Sequence, residues 1–275
     1  MSERGETSRF ASASGFVRLA VEARVASVTL ARGEKRNALV PAMLDDVASA
    51  VRVAIRGGDA ADIGAIVLHG EGPMFCSGFD LDVCHADASN SRRLLAGLSA
   101  LVQLLRDESD VPVVIAAHGG AIAGGCAMLA GADVVVTDRA AKFGYPVTML
   151  GLSPAVSAPS LRRMIDSGPT RSRMLQPTLV DGVEATKIGI AHECVATPAE
   201  VLPRARSIVE MLAAKPAGAA RVTKAWLRQV EHRAGLSAAV MIAAGLETSL
   251  GVVGTQEERS LLAAFVNRSR SKGSA

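Results

Sequence analysis

Aromatic side chains are scarce in this sequence: Phe, Tyr and Trp make up 3% of its 275 residues, with one Tyr and one Trp. Any sizeable core must then be aliphatic, and a hydrophobic content of 49% supplies the Ala, Val, Leu and Ile for it. The four cysteines, Cys76, Cys84, Cys126 and Cys194, form no C-x-x-C pair, so neither a zinc knuckle nor a disulfide framework is expected. No metal site is expected either. No run approaches the ~18 apolar residues of a membrane span, and the opening MSERGETSRFASASG lacks the apolar centre of a signal peptide. The expectation is a reduced, cytoplasmic protein. A strong excess of one charge is missing too. Thirty basic against 27 acidic residues leave +3, too little to imply nucleic acid but compatible with an anionic small molecule. Neither a G-x-S-x-G elbow nor an H-E-x-x-H helix occurs, so standard hydrolase and metalloprotease chemistries find no support.

What is present is a chain long enough for one sizeable domain. Residues 1–15 are rich in Ser, Gly and charge and read as a mobile tail. FVRLAVEARVASVTLA gives two β-branched runs split by a polar break, a strand pair. PAMLDDVASAVRVAIRGG opens with Pro41, closes with glycine and puts Leu44, Val47, Ala48, Val51 and Ile55 on one helical face. GAIVLHG is a short buried strand. A helix around RRLLAGLSALVQLL aligns Leu94, Leu98, Leu101, Val102 and Leu105. The strands VPVVIAA and DVVVTD flank a helix opened by glycines. This alternation predicts parallel β-α units over residues 16–200, an α/β core. From about residue 158 the segments read as helices, and 201–275 forms a helical C-terminal region. No fixed-period repeat is visible.

The segment HGGAIAGGCAMLAGADVVV places Gly119, Gly120, Gly124 and Gly125 immediately after a strand. Glycines at a helix start let the backbone approach a ligand and present unpaired N–H groups to negative charge. That charge is a phosphate or an oxygen turning anionic during reaction. Gly125-Cys126 stands where a phosphate-binding Walker loop needs Lys-Ser/Thr, and G-x-G-x-x-G is absent. FCSGFDL, Phe75 to Leu81, repeats the layout of strand, glycine and helix start, with Asp80 as a candidate helix cap or a chemical group. Two such loops on neighbouring strands could aim two amides at one point, the geometry of an oxyanion hole.

These segments together resemble the enoyl-CoA hydratase/isomerase (crotonase) superfamily. The similarity lies in VASVTLARGEKRNALVPAMLDDV, GAIVLHGEGPMFCSGFDL, PVVIAAHGGAIAGGCAMLAGADVVVTDRAAKFGYPVTMLGLSP and LVDGVEATKIGIAHECV, in that order, and covers roughly residues 16–268. The resemblance implies a crotonase-like spiral of repeated ββα units with a C-terminal helical trimerisation region. It implies an acyl-CoA thioester as partner, with no cofactor beyond the CoA moiety, and a homotrimer or dimer of trimers. Its oxyanion donors would be the backbone N–H groups of Phe79 and Gly124. Phe79, Asp80, Leu81 and Asp82 would line the nucleotide end of CoA, and Lys35 or Arg36 would fall where relatives contact its phosphates.

Hydration of an enoyl thioester needs one group to activate water and another to deliver a proton. Hydratases of the family carry two carboxylates for this, at positions that here are Ala127 and Val147. The acid used further on by other relatives would fall near Pro154. None of the three moves a proton. Ordinary hydration is therefore in doubt, and three outcomes stay open: decarboxylation or isomerisation through the oxyanion hole, hydration through a substitute group, or silent acyl-CoA binding. Tyr145 is the candidate substitute, with a core tyrosine as the alternative. His85 is a weaker candidate or a surface residue, His118 a base or a backbone-bonding group, and Asp82 and Cys126 lie near the expected site. His69, His192 and His232 have no motif around them. Ala127, Met128 and Val147 are expected to make the site apolar.

Overall fold

The computed structural model describes residues 10–56, 63–215, 217–232 and 253–272, together with positions 239, 240, 243, 246, 247, 250 and 251. A six-stranded sheet carries the order β1-β2-β3-β4-β6-β9, and a three-stranded sheet the order β5-β7-β8. Strands β1 (Val17–Glu22) and β2 (Val25–Leu30) form an antiparallel hairpin. Its two turn residues, Ala23 and Arg24, both have positive φ, which suits the right-handed twist of a two-residue hairpin even without glycine. Every further pairing in the large sheet is parallel, through β3 (Ala65–Gly70), β4 (Val113–Ala117), β6 (Val134–Asp138) and β9 (Glu193–Val195). The expected α/β alternation is thus present.

Period-two alternation sends β3 side chains to both faces. Ile66 and Leu68 join the main core, with Leu44, Val47, Leu98 and Leu101 of α1 (Pro41–Arg56) and α3 (Ala88–Gln103). Ala65 and Val67 face a second layer, where α8 (Pro198–Ala213) contributes Val201, Ala205, Ile208 and Val209. The buried stripe of α1 includes Met43, Leu44, Val47, Ala50, Val51 and Ala54. Ala48 and Ile55, expected on that face, are only partly buried. The face is rotated because α1 packs against α3 on one side and the β1–β2 hairpin on the other. The α3 stripe is buried as expected and runs on into a π-helical turn, Leu104–Glu108.

Three expectations need correction. Residues 12–14 are tied down: Ser12 Oγ (2.6 Å), Ala13 N (3.0 Å) and Ser14 N (2.8 Å) all donate to the buried carboxylate of Asp46. Residues 1–9 of the expected tail lie outside the described residues. The region after residue 158 is also not purely helical, since β8 (Val180–Asp181) and β9 join the two sheets between α6 (Ser167–Leu175), α7 (Gly182–Lys187) and α8. Finally, the glycine segment contains a strand, β5 (Gly120–Ile122), which pairs with β7 (Lys142–Gly144). The helix expected over 236–250 falls largely on positions outside the description. The expected helices from PAEVLPRARSIVEMLAAKP, GAARVTKAWLRQVEH and GTQEERSLLAAFVNRSR are present as α8, α9 (Ala217–His232) and a C-terminal helix, Gln256–Lys272.

Candidate active site

The two glycine loops meet because the chain clips them together, backbone to backbone. Phe75 N donates to His118 O (2.8 Å), and Ile122 N donates to Cys76 O (3.0 Å). Leu39 then forms a one-residue parallel bridge to Phe79, with Leu39 N on Gly78 O (2.7 Å) and Asp80 N on Leu39 O (2.9 Å). Because Gly78 O and Asp80 N both face Leu39, the amide between them, that of Phe79, points the other way. Gly124 is the first residue of α4 (Gly124–Leu129), where no intrahelical acceptor is available. Neither amide donates to another described residue.

Close approach explains the glycine at 124, and at Gly78 it acts together with a positive φ of 94°. A β-carbon on Gly124 would stand 2.8 Å from the Phe79 ring, and one on Gly78 would stand 2.9 Å from Ile122 O. Between the loops sits Ala123, with φ 50° and ψ −111°, a conformation in which a non-glycine residue is strained by about 1–3 kcal/mol. Its N–H is held by Gly144 O at 2.8 Å, and its C=O, which shares a peptide plane with Gly124 N–H, accepts from Ala127 N at 2.9 Å, so the direction of the Gly124 N–H is set. Ala123 was invisible to motif reasoning, because nothing about an alanine announces a positive φ.

Phe79, Ala123 and Gly124 all border one cavity of about 260 Å³. Leu95 and Leu98 of α3, Val147 and Leu150 of the turn after β7, and Phe265 and Arg268 of the C-terminal helix also line it. The wall is overwhelmingly apolar. Val147 and Pro154 face this cavity, whereas Ala127 borders a small adjoining void that shares Leu98, Val156 and Ser157 with it. Met128 is fully buried and lines neither. The only titratable side chains on the cavity wall, among the described residues, are Tyr145 and Arg268.

Tyr145 is 1% exposed, and its hydroxyl finds no hydrogen-bond partner among the described residues. Burial, then the neighbouring Cys126 thiol, holds its pKa well above 10, so the phenol is neutral. Cys126 is likewise pushed up by burial, to about 11, and is no thiolate.

The remaining candidates separate. His85 is exposed at the end of α2 (Leu81–Ala86) and does not reach the cavity. His118 Nε2 bonds the backbone at Gly72 O (3.0 Å). His192 Nδ1 accepts from Val135 N (2.9 Å), and His69 Nε2 meets Ser27 (3.1 Å) and Thr29 (3.0 Å). His232 lies in α9, and its side chain is outside the description.

Next to Phe79 in the chain, Asp80 caps α2 by accepting from Asp82 N and Val83 N. Its charge is met by Arg32 at 2.7 Å, a largely buried pair. Arg32 was not among the expected site residues, although a buried Asp80 demands a cation. Lys35 lies 4.0 Å from the exposed Asp82, which also pairs with Arg270 at 3.1 Å. Arg36 is exposed, in the left-handed region. Asn37, fully buried, locks this loop by accepting from Arg32 N and donating to Glu71 O and Met74 O. Among the described residues, no group of three or more His, Cys, Asp or Glu side chains could hold a metal, and no helix is long and apolar enough to cross a membrane.

The fold is that of a known class. The enoyl-CoA hydratase/isomerase family model matches residues 20–268. The chain is 30% identical over 259 residues to a probable enoyl-CoA hydratase of Mycobacterium bovis, covering 92% of this chain and 90% of that one. It is 30% identical over 213 residues to a putative enoyl-CoA hydratase of Thermus thermophilus, covering 73% and 79%. A crystal structure of an enoyl-CoA hydratase/isomerase from Xanthobacter autotrophicus matches the fold with a TM-score of 0.80 at 23% identity, over 90% of this chain and 91% of that one. The chain belongs to the enoyl-CoA hydratase/isomerase family, within the crotonase superfamily.

Proposed function

We propose that the protein binds an acyl-CoA thioester and holds its carbonyl oxygen between the Phe79 and Gly124 amides. The observation that carries this is that Phe79 and Gly124, whose backbone N–H groups donate to no described residue, both border one apolar cavity. Amides fixed by the surrounding backbone stabilise an oxygen that turns anionic, at about 10² to 10³ in rate per donor. Phe79, Asp80, Leu81 and Asp82 would face the nucleotide end of CoA, with Lys35 and Arg36 toward its phosphates. The exposure of Lys35 and Arg36 at the loop edge supports that assignment. The chain would close as a spiral of ββα units and assemble as a trimer or dimer of trimers. Exposed apolar side chains on α9, Val222 and Trp226, favour assembly through the C-terminal region.

Ordinary hydration does not fit this site. Ala127 and Val147 take the family's carboxylate positions, and each lost acid or base removes about 10² to 10⁴ in rate. Tyr145 is the one candidate replacement on the cavity wall, and burial keeps it from acting as a base near neutral pH. A step that needs no protein-borne base fits better, decarboxylation above all: loss of CO2 from an α-carboxylate leaves an enolate that the two amides would hold until it takes a proton from water. An isomerase would need a proton carrier that the wall does not supply. A silent acyl-CoA-binding protein is the second reading, favoured by that lack of proton-transfer groups.

The test is to incubate the protein with short- and medium-chain 2-enoyl-CoA thioesters and follow water addition by mass. Binding without conversion is expected. Rapid conversion would mean that Tyr145 or another group replaces the carboxylates.

A further inference from the structure

The small void beside Ala127 has a wall unlike that of the main cavity. Leu98, Val102, Ala127 and Val156 make it apolar, but three serines share it, Ser99, Ser157 and Ser160. Each serine is more than nine-tenths buried. None of the three hydroxyls makes a hydrogen bond among the described residues, and none is sealed in packing as those of Ser91 and Tyr145 are. The elements explain the convergence. Ser99 lies one turn beyond Leu95 on α3, while Ser157 and Ser160 stand at i and i+3 across the start of α5 (Ala158–Met164). A buried hydroxyl left without a partner lowers stability, so three at one spot in an aliphatic wall call for a common partner.

The void has the size for that partner. It gives the centre of a water molecule about 10 Å³, the room of a single molecule. A water there both donates to and accepts from serine hydroxyls, and a buried water typically holds about three such bonds. Its place in the fold matters as much. Gly124 and Ala127 are i and i+3 on α4, on one helix face and about 4.5 Å apart along the axis. The Gly124 amide would hold the thioester oxygen, which puts the void on the side of the carbon next to the carbonyl. Ser157 borders both the void and the main cavity, so the two spaces meet at its side chain.

We propose, resting on the decarboxylation reading above, that Ser99, Ser157 and Ser160 hold one water in this void and that this water delivers the proton to the enolate. The serines are positioning residues, acting through the water. The bond between the α-carbon and the carboxylate breaks, CO2 leaves, and the electron pair passes into the enolate held by the two amides. The α-carbon then takes a proton from the water, whose O–H pair stays on oxygen as hydroxide. Hydroxide adds to the released CO2, so the products are the shortened acyl-CoA and bicarbonate. A donor fixed on one side of the enolate protonates one face, and the α-carbon of the product gains its hydrogen with a single handedness.

The experiment has two arms. A high-resolution crystal structure of the full chain should show one water in the void, bonded to at least two of the serines. A dry void would overturn the proposal whatever the activity. In the second arm, 2-carboxyoctanoyl-CoA is turned over in D2O, in incubations short enough that its own α-hydrogen does not exchange. The octanoyl-CoA formed should carry one deuterium on the α-carbon, with one enantiomer in excess by about tenfold or more. Ala127→Val fills the void, and Ser157→Ala with Ser160→Ala removes two of its hydroxyls. Each should give the two enantiomers in near-equal amounts, whereas Tyr145→Phe should keep the excess. Equal enantiomers from the unaltered protein, or an excess that survives in the void variants, would overturn the water as donor. No CO2 release with the water in place would overturn the decarboxylation reading, and the donor role with it, and leave the water site standing.

Discussion

The ring of Phe79 lies over the Cα of Gly124, so close that a β-carbon there would stand 2.8 Å from it. The residue that supplies one amide thereby dictates that the residue supplying the other has no side chain. Gly124→Ala should displace the half-buried Phe79 ring and turn the Phe79 amide with it. Affinity for an acyl-CoA should fall by about tenfold or more, on the scale of a lost donor to a polarised oxygen. Calorimetric titration measures this, and circular dichroism should show an unchanged fold.

Ala123→Gly separates strain from function. The positive φ of Ala123 costs about 1–3 kcal/mol, against about 0.5–1 kcal/mol for the added freedom of glycine in the unfolded chain. The variant should be more stable by about 1 kcal/mol, seen as a higher urea midpoint. It should also bind acyl-CoA more weakly, since the Gly124 amide is held less firmly.

Arg32 and Asp80 form a largely buried ion pair, so removing one partner strands the other. Arg32→Ala should cost about 3 kcal/mol or more, because Asp80 keeps its charge at the α2 cap. Denaturant unfolding measures the loss. Arg32→Ala with Asp80→Ser, a neutral cap, should recover part of it.

How far the site was legible follows from residues such as these. The Asp80 cap could be read because aspartate at a strand-to-helix junction readily accepts from the first free amides of the helix, whereas Phe79 and Gly124 came forward as donors only through the resemblance to the family. The α1 and α3 helices could be read from their apolar period. Strands β5, β7 and β8 could not, since two or three residues show no alternation and their pairing is set by tertiary contacts. Arg32 and Ala123 escaped for a related reason. Each matters through what surrounds it: a buried carboxylate, a forced dihedral.

His69 gives the protein a pH-dependent stability. Burial, as the largest cause, lowers its pKa from 6.5 to about 4. The folded state therefore favours neutral imidazole. That contribution is fully present above pH 6.5 and is lost as pH falls from 6.5 through about 4. Melting temperature should drop across that window, and His69→Gln should flatten the drop.

The most direct measurement of the central claim is the carbonyl stretching frequency of a bound acyl-CoA thioester, taken by Raman or infrared difference spectroscopy. Two amides at the oxygen should polarise the carbonyl and lower its frequency relative to the thioester in water, and Gly124→Pro should remove that shift. A thioester that binds with its carbonyl frequency unchanged from water would contradict the assignment of Phe79 and Gly124.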